Sequence, residues 1–152
     1  MPNTSVSQDV CWYLSGYADG EGSFCVSFSP RSKLRTKLEV RPSFSVSQNV
    51  DHSEVLRLFQ KTLDCGSIRP DRSDKTLKFE VRSLAEINSK VIPFFERYPL
   101  KSSKHKDFLL FSNICRKIAG KQNIKEIIDV AVMMNTSGMR KYDKQKLLSI
   151  LR

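Results

Sequence analysis

The 152-residue chain is poor in the residues that staple small folds together: it has four cysteines and two histidines. Cys11, Cys25, Cys65 and Cys115 form no C-x-x-C pair, and only His52 and His105 could join them, so a structural zinc site is not expected. Cysteines scattered in this way point to a reducing compartment without a disulfide framework. No apolar run approaches the roughly 18 residues that a membrane span needs. The start, MPNTSVSQDVCW, lacks the basic cluster and apolar stretch of a signal peptide, so secretion is not expected. A phosphate-cradling Walker loop, a dinucleotide fingerprint and a Gly-x-Ser-x-Gly elbow are all missing, which sets aside the enzyme classes built on them. One scarcity is local. Residues 1–30 contain no lysine or arginine, yet they hold Asp9, Asp19 and Glu21.

The rest of the chain is strongly basic. With 26 Lys plus Arg against 16 Asp plus Glu the net charge is +10, so an acidic segment of −3 leaves +13 on the other 122 residues. A polyanion is the partner class such a surplus favours. At 39% hydrophobic the chain can bury a core, and its length suits one domain.

Periodicity supplies the architecture. Val10, Leu14, Tyr17 and Ala18 fall at helical spacing over about residues 8–20, with Ser7 as the cap. Gly16 and Gly20, four apart on one stripe, would let another backbone come close. From Ser23 the period changes to two: Phe24, Val26 and Phe28 alternate with small polar residues, which predicts a half-buried strand. A second strand is expected from Lys37 to Gln48, and Asp51-His-Ser-Glu54 reads as a capping box opening a helix that closes near Gly66. The order then repeats. A hairpin is expected over 67–71 and 76–82, and Ser83-Leu-Ala-Glu86 is a second capping box. Pro93 should end or restart the helix it opens, and Pro99 the next. Further helices follow from Ser102 or Ser103 to Gly120, from about Ile124 to Met134, and from Asp143. The result is α-β-β-α-β-β-α plus C-terminal helices, an α+β fold with a four-stranded antiparallel sheet and helices on one side. No linker divides it, so one domain over 1–152 is expected, its core at about 7–119 and its C-terminal helices at about 123–152.

The sheet face away from the helices carries the charge. Arg31, Lys33, Arg35, Lys37, Glu39 and Arg41 occupy alternate positions, and on an extended chain they would share one side. Ser27, Ser29, Ser43 and Ser45 fall in the same alternation on the first hairpin, and Arg69, Asp71 and Lys78 on the second. A solvated strand face is the bland explanation, but four strands with the same pattern favour a DNA-reading plate. A two-stranded ribbon fits the major groove, where Arg grips guanine and Glu or Asp accepts from cytosine. A strand of a dozen residues spans roughly 40 Å, about one duplex turn of 10 base pairs. Arg140 and Lys141, after a polar stretch, would suit phosphate contacts at the flank.

The segment Leu14-Ser-Gly-Tyr-Ala-Asp-Gly-Glu-Gly22, followed by Ser23-Phe24, resembles the signature of the LAGLIDADG homing endonucleases. Ser15, Tyr17, Ala18, Gly20 and Glu21 depart from the name sequence. The α-β-β-α-β-β-α order is that family's core, and the single motif is similar to its homodimeric branch. The resemblance implies a site-specific double-strand cut with short 3′ overhangs in a long pseudo-palindromic DNA target. It implies Mg²⁺ as the cofactor, with Mn²⁺ substituting and Ca²⁺ binding without supporting cleavage. Its metal-binding acid falls on Glu21, aided by the Gly20 carbonyl; Asp19 would support the helix end. The family's water-positioning glutamine falls on Gln48 and its active-site lysine on Lys104. The helix pair at the dimer interface would use Tyr13, Gly16, Tyr17 and Gly20. His52 stands where some relatives carry a basic residue near the scissile phosphate.

Chemistry agrees with the resemblance on one point. A single acid is a poor cage for a metal, whereas two copies of Glu21 across a two-fold axis are a better one. Non-catalytic relatives, an intron RNA maturase or a DNA-binding regulator, are the alternative, although nothing in the residues calls for intron RNA. A membrane-surface protein would need a basic amphipathic helix, and here the basic residues lie mainly on strands and turns. The expected place of work is wherever the host intron resides, an organelle (chloroplast or mitochondrion) or the bacterial cytoplasm.

Overall fold

A computed structural model describes residues 6–72, 75–134 and 142–151. Helix α1 (Gln8–Glu21) starts at Ser7, whose side chain accepts the Val10 N–H. It stops where the apolar period changes from 3.6 to two. Strands β1 (Gly22–Pro30) and β2 (Leu38–Asn49) then pair antiparallel, from Gly22 opposite Val46 to Pro30 opposite Leu38. After helix α2 (Glu54–Leu63), strands β3 (Ser67–Pro70) and β4 (Thr76–Val81) complete one sheet in the order β1-β2-β4-β3. Next come α3 (Leu84–Glu86), a π turn (Ile87–Val91), α4 (Ile92–Arg97), α5 (Lys104–Ala119), α6 (Ile124–Ala131) and α7 (Lys144–Ile150).

The alternation in the strands decides the layering. Phe24, Phe44, Val46, Phe79 and Val81 are buried on one side of the sheet, beneath the helices. Phe24 is the hub, with ring centroids 5.1 Å from Phe44, 5.4 Å from Phe95 and 5.3 Å from Phe111. A smaller cluster of Leu38, Ile128 and Leu147 ties α6 and α7 to the start of β2.

Three local expectations change. Residues 31–37 are not extended: Arg31 N–H donates to Lys37 O at 2.8 Å and Lys37 N–H to Leu34 O at 3.0 Å, closing a turn in which Lys37 has φ 64°. Asp51 does not cap α2. Val50–His52 form a 3-10 turn, because Val50 N–H donates to Lys75 O and pins the chain to the β3–β4 connection. Helix α2 therefore begins at Glu54 after Ser53, which makes no side-chain cap bond. Pro93 stands, as expected, where its helix restarts, in the first turn of α4. The π turn before it lengthens the hydrogen-bond step, Ile92 N–H reaching Ile87 O, and the helical path continues to Arg97. Met134 lies in a turn beyond the end of α6. The Ser83 cap holds, its hydroxyl accepting the Glu86 N–H at 3.3 Å.

Gly22, the last residue of the motif, is needed for space. A Cβ there would stand 2.7 Å from Ala18 O and 3.0 Å from Ala18 Cα, both backbone. Gly22→Ala should destabilise the fold by about 1–3 kcal/mol, seen as a Tm several degrees lower with the sheet otherwise native by circular dichroism. An unchanged Tm would show that the helix end can move aside.

Candidate nucleic-acid interface and active site

The strand register places the polar residues together. Ser27 stands opposite Arg41, Ser29 opposite Glu39 and Cys25 opposite Ser43 on the first hairpin. Ser45 faces Glu80 and Ser47 faces Lys78 across β2 and β4, and Arg69 faces Lys78 across β3 and β4. Directly opposed residues in an antiparallel pair point to the same side. Ser27, Ser29, Glu39, Arg41, Ser43, Ser45, Arg69 and Lys78 therefore share the face that no helix covers. Lys33, Arg35 and Lys37 do not; they belong to the turn at the tip of the β1–β2 hairpin. Arg31, just past β1, bends back so that its Nε meets Glu39 Oε2 at 2.7 Å. Asp71, just past β3, accepts the Ser47 hydroxyl at 3.1 Å. Arg140 and Lys141 lie outside the described residues.

The acids on this face are not isolated. Glu39 also takes Arg41 Nε at 3.0 Å, and the Arg41 hydrogen bond, with the charge of Arg31, holds its carboxyl below the usual glutamate value. Glu80 Oε1 takes Arg69 Nη2 at 2.7 Å and Arg82 Nε at 3.1 Å. Glu80 and Arg82 were missed in the sequence, although the alternation at Lys78 continues through both.

The second locus is the carboxyl end of α1. Carbonyls are unpaired there and the helix dipole is negative, so acids are locally unfavourable and cations favourable. The last turn nevertheless carries Asp19 and Glu21 and no basic residue. The cation comes from α5: Lys104 Nζ donates to Gly22 O at 2.6 Å and Ala18 O at 3.2 Å. Desolvation pulls the Lys104 ammonium below the ordinary lysine value, against Asp19, Glu21 and Asp107, which pull the other way. Glu21 is exposed and makes no hydrogen bond or ion pair among the described residues. Gln48, at the end of β2, donates through Nε2 to the Tyr17 hydroxyl, one turn before Glu21. His52 is exposed in the 3-10 turn.

Asp19 fixes α5 against α1. Its Oδ2 accepts the N–H of Lys101 at 3.0 Å and of Ser102 at 2.9 Å, and Oδ1 accepts the Ser102 hydroxyl. Partial burial disfavours its charged form, but these bonds and the Lys104 charge outweigh that and lower its pKa. A lowered carboxyl pKa adds stability above the ordinary carboxylate range, and this is lost as pH falls through the folded-state value. Asp19→Ala should therefore destabilise the protein by about 1–2 kcal/mol near neutral pH. The gap to wild type should narrow in acid, as urea melts at the two pH values would measure; a pH-independent gap would contradict the assignment.

A third feature runs along the outer side of α1. Tyr13, 53% exposed, continues into Gly16 and Gly20, where an added Cβ would meet nothing within 4 Å. Tyr17 sits at the edge of this stripe, partly buried, its ring 6.1 Å from Tyr13 and 6.3 Å from Phe59. Trp12 faces elsewhere, edge-on to Tyr98 with Lys101 Nζ 5.0 Å from its ring centroid.

A helix ending in an acid stands beside a basic four-stranded antiparallel sheet, an α+β arrangement. The chain belongs to the LAGLIDADG endonuclease family, whose sequence profile matches residues 14–115. It is similar to a "Probable intron-encoded endonuclease 2" of Neurospora crassa, 28% identical over 145 residues, covering 91% of this chain and 32% of that protein. Among solved structures it resembles the homing endonuclease I-TnaI, at 29% identity and TM-score 0.83, covering 93% of this chain and 97% of that one. It also resembles I-SmaMI bound to uncleaved DNA target in the presence of calcium ions, at 26% identity and TM-score 0.81, covering 86% of this chain and 46% of that one. The chain spans about a third to a half of the length of the first curated relatives it matches. No helix among the described residues is long and apolar enough to cross a membrane.

Proposed function

We propose that this protein is a site-specific, divalent-metal-dependent DNA endonuclease that works as a homodimer. The observation that carries the proposal is the unpaired, exposed Glu21 carboxylate at the negative end of α1, beside Lys104 and the edge of a basic sheet face. Among the described residues no three His, Cys, Asp or Glu side chains gather to hold a metal. One chain offers a partial set of hard oxygen donors, the Glu21 carboxylate and the Gly20 carbonyl, of the kind Mg²⁺ accepts. Mn²⁺ is expected to substitute, and Ca²⁺ to bind without supporting cleavage. A second copy packed along Gly16 and Gly20 supplies a second Glu21, and the pair fits a divalent site. When bound, such an ion supplies an activated water and neutralises charge at the phosphate.

The remaining parts belong to the chain. Lys104, held by the Gly22 and Ala18 carbonyls, places a positive charge where a phosphate would become more negative. Gln48, steadied by Tyr17, has the position to orient a water. The sheet face binds the duplex through Arg41, Arg69, Lys78 and their serine neighbours, and each protomer reads about 10 base pairs. The target is then a pseudo-palindrome of roughly 20 base pairs, cut on both strands to leave short 3′ overhangs. The work is done where the host intron lies, in an organelle or the bacterial cytoplasm.

Selection of cut sites from a partly randomised duplex library with Mg²⁺ tests the reading. A symmetric enriched site supports it. The absence of any cut product defeats it, and a strongly asymmetric site defeats the homodimer.

A further inference from the structure

Two carboxylates on the open sheet face each hold a pair of arginines: Glu39 with Arg31 and Arg41, Glu80 with Arg69 and Arg82. Glu80 is 8% exposed, whereas the Arg69 and Arg82 side chains are 51% and 65% exposed. Each group nets one positive charge. An acid on a surface that binds a polyanion weakens the attraction, so electrostatic binding gives no reason for either glutamate. Geometry gives one. A guanidinium anchored through Nε keeps its Nη1–Nη2 end for another partner. That end is the fork that meets guanine O6 and N7 in the major groove. Arg31 is hydrogen-bonded through Nε, and Arg41 and Arg82 come nearest to their glutamates through Nε as ion pairs at 3.0 and 3.1 Å; Arg69 is hydrogen-bonded through Nη2, which uses part of the fork and suits it to a phosphate instead.

We propose that Glu39 and Glu80 are positioning residues that aim Arg31, Arg41 and Arg82 end-on at guanine edges and so set which bases the sheet accepts. This rests on the sheet being the DNA-binding surface. Fixing the arginines beforehand lowers the rotamer freedom lost on binding. It also makes a wrong base costly, because the fork cannot swing away to a phosphate. The spacing follows from the register. Arg82 follows Val81, which stands opposite Phe44 on β2, so it lies only about two residues along that strand from Arg41, and the two line one cavity with Glu39. A rise of about 3.3 Å per residue and a strand spacing of about 4.8 Å set their stems roughly 8 Å apart. That is about two to three base steps of about 3.4 Å, so each half-site should require guanine, on either strand, at two places about two to three steps apart.

The test compares cut-site selections from the same partly randomised duplex library by wild type, Glu80→Gln and Glu39→Gln, with melting curves for each. Glu80→Gln should bind arbitrary duplex more tightly and with a steeper salt dependence, having lost a negative charge. Its guanine preference should fall about tenfold at one place in the half-site and stay intact at the other; Glu39→Gln should do the reverse. In an Arg69→Ala/Arg82→Ala background, Glu80→Gln should change the base profile no further. A purely structural role would lower Tm and weaken all positions together, and that result overturns the proposal. So does an unchanged base profile in both variants. If wild type enriches no site, the nuclease reading fails; if it enriches one that Glu80→Gln and Glu39→Gln read identically, only the present inference fails. The exposed Glu39 keeps the question open to measurement should the buried Glu80 variant fold poorly.

Discussion

Glu21→Gln is expected to reduce cleavage by at least about a thousandfold while leaving affinity for the target within a few-fold. The substitution removes one charge and almost no volume. The wild-type carboxylate is exposed and has no hydrogen-bond partner among the described residues, so folding loses only its attraction to Lys104. Removing an acid from the negative end of α1 offsets that loss, and the stability should stay near wild type. Loss of cutting together with a Tm near wild type separates a catalytic role from a structural one. Gel-shift affinity and cleavage of the selected site, measured on the same preparation, provide both readouts. A variant that cuts at the wild-type rate would place the metal-binding acid elsewhere. Asp19 cannot take over, since both its oxygens are engaged with the 101–102 corner.

Gly16→Leu should leave the monomer folded and abolish both dimerisation and cutting. The Cβ position at Gly16 opens onto empty space, so a side chain there starts without a clash in its own chain. Leucine also favours a helix interior over glycine by about 0.5–1 kcal/mol. The isolated chain should therefore melt no lower than wild type. The same side chain would hold a second α1 away from the first and separate the two Glu21 carboxylates. Analytical ultracentrifugation should show a dimer for wild type and a monomer for the variant, and cleavage should fall to background. A variant that stays dimeric and active would mean that the copies meet on another surface. Gly16 is the better probe than Gly20, because Gly20 lies next to the acid and a change there would mix two effects.

Local chemistry made most of the elements legible. Ser7, Ser83 and Asp143 cap the helices expected from them, since an N-cap is a bond between a side chain and an amide two or three residues away. The strands are legible for a related reason: Phe24, Val26 and Phe28 must all face the core or none can. The failures are equally physical. The run from Arg31 to Arg41 alternates perfectly, yet a hairpin must turn somewhere, and its tip took Ser32–Thr36, where no apolar residue needed burial in the core. Asp51 lost its cap because the neighbouring Val50 N–H donates to the carbonyl of Lys75, a residue distant in sequence. The π turn ahead of Pro93 was missed, because no side-chain pattern announces it.

The candidate site divides along the same line. Sequence alone determined that an acid closes α1, that glycines line one side of that helix, and that one sheet face is basic, because each is a matter of spacing along a single element. The resemblance pointed to Lys104, but only the tertiary structure gave the reason that this lysine reaches the helix end. Lys101, Lys104 and Lys106 are equivalent by composition, and Lys104 is selected because Asp19 anchors residues 101 and 102 and so sets where α5 begins. Only the strand register decided that Glu80, not a serine, stands between Arg69 and Arg82. A period places a residue on a face; which charge it meets there depends on the strand alongside, and that pairing is a property of the folded chain.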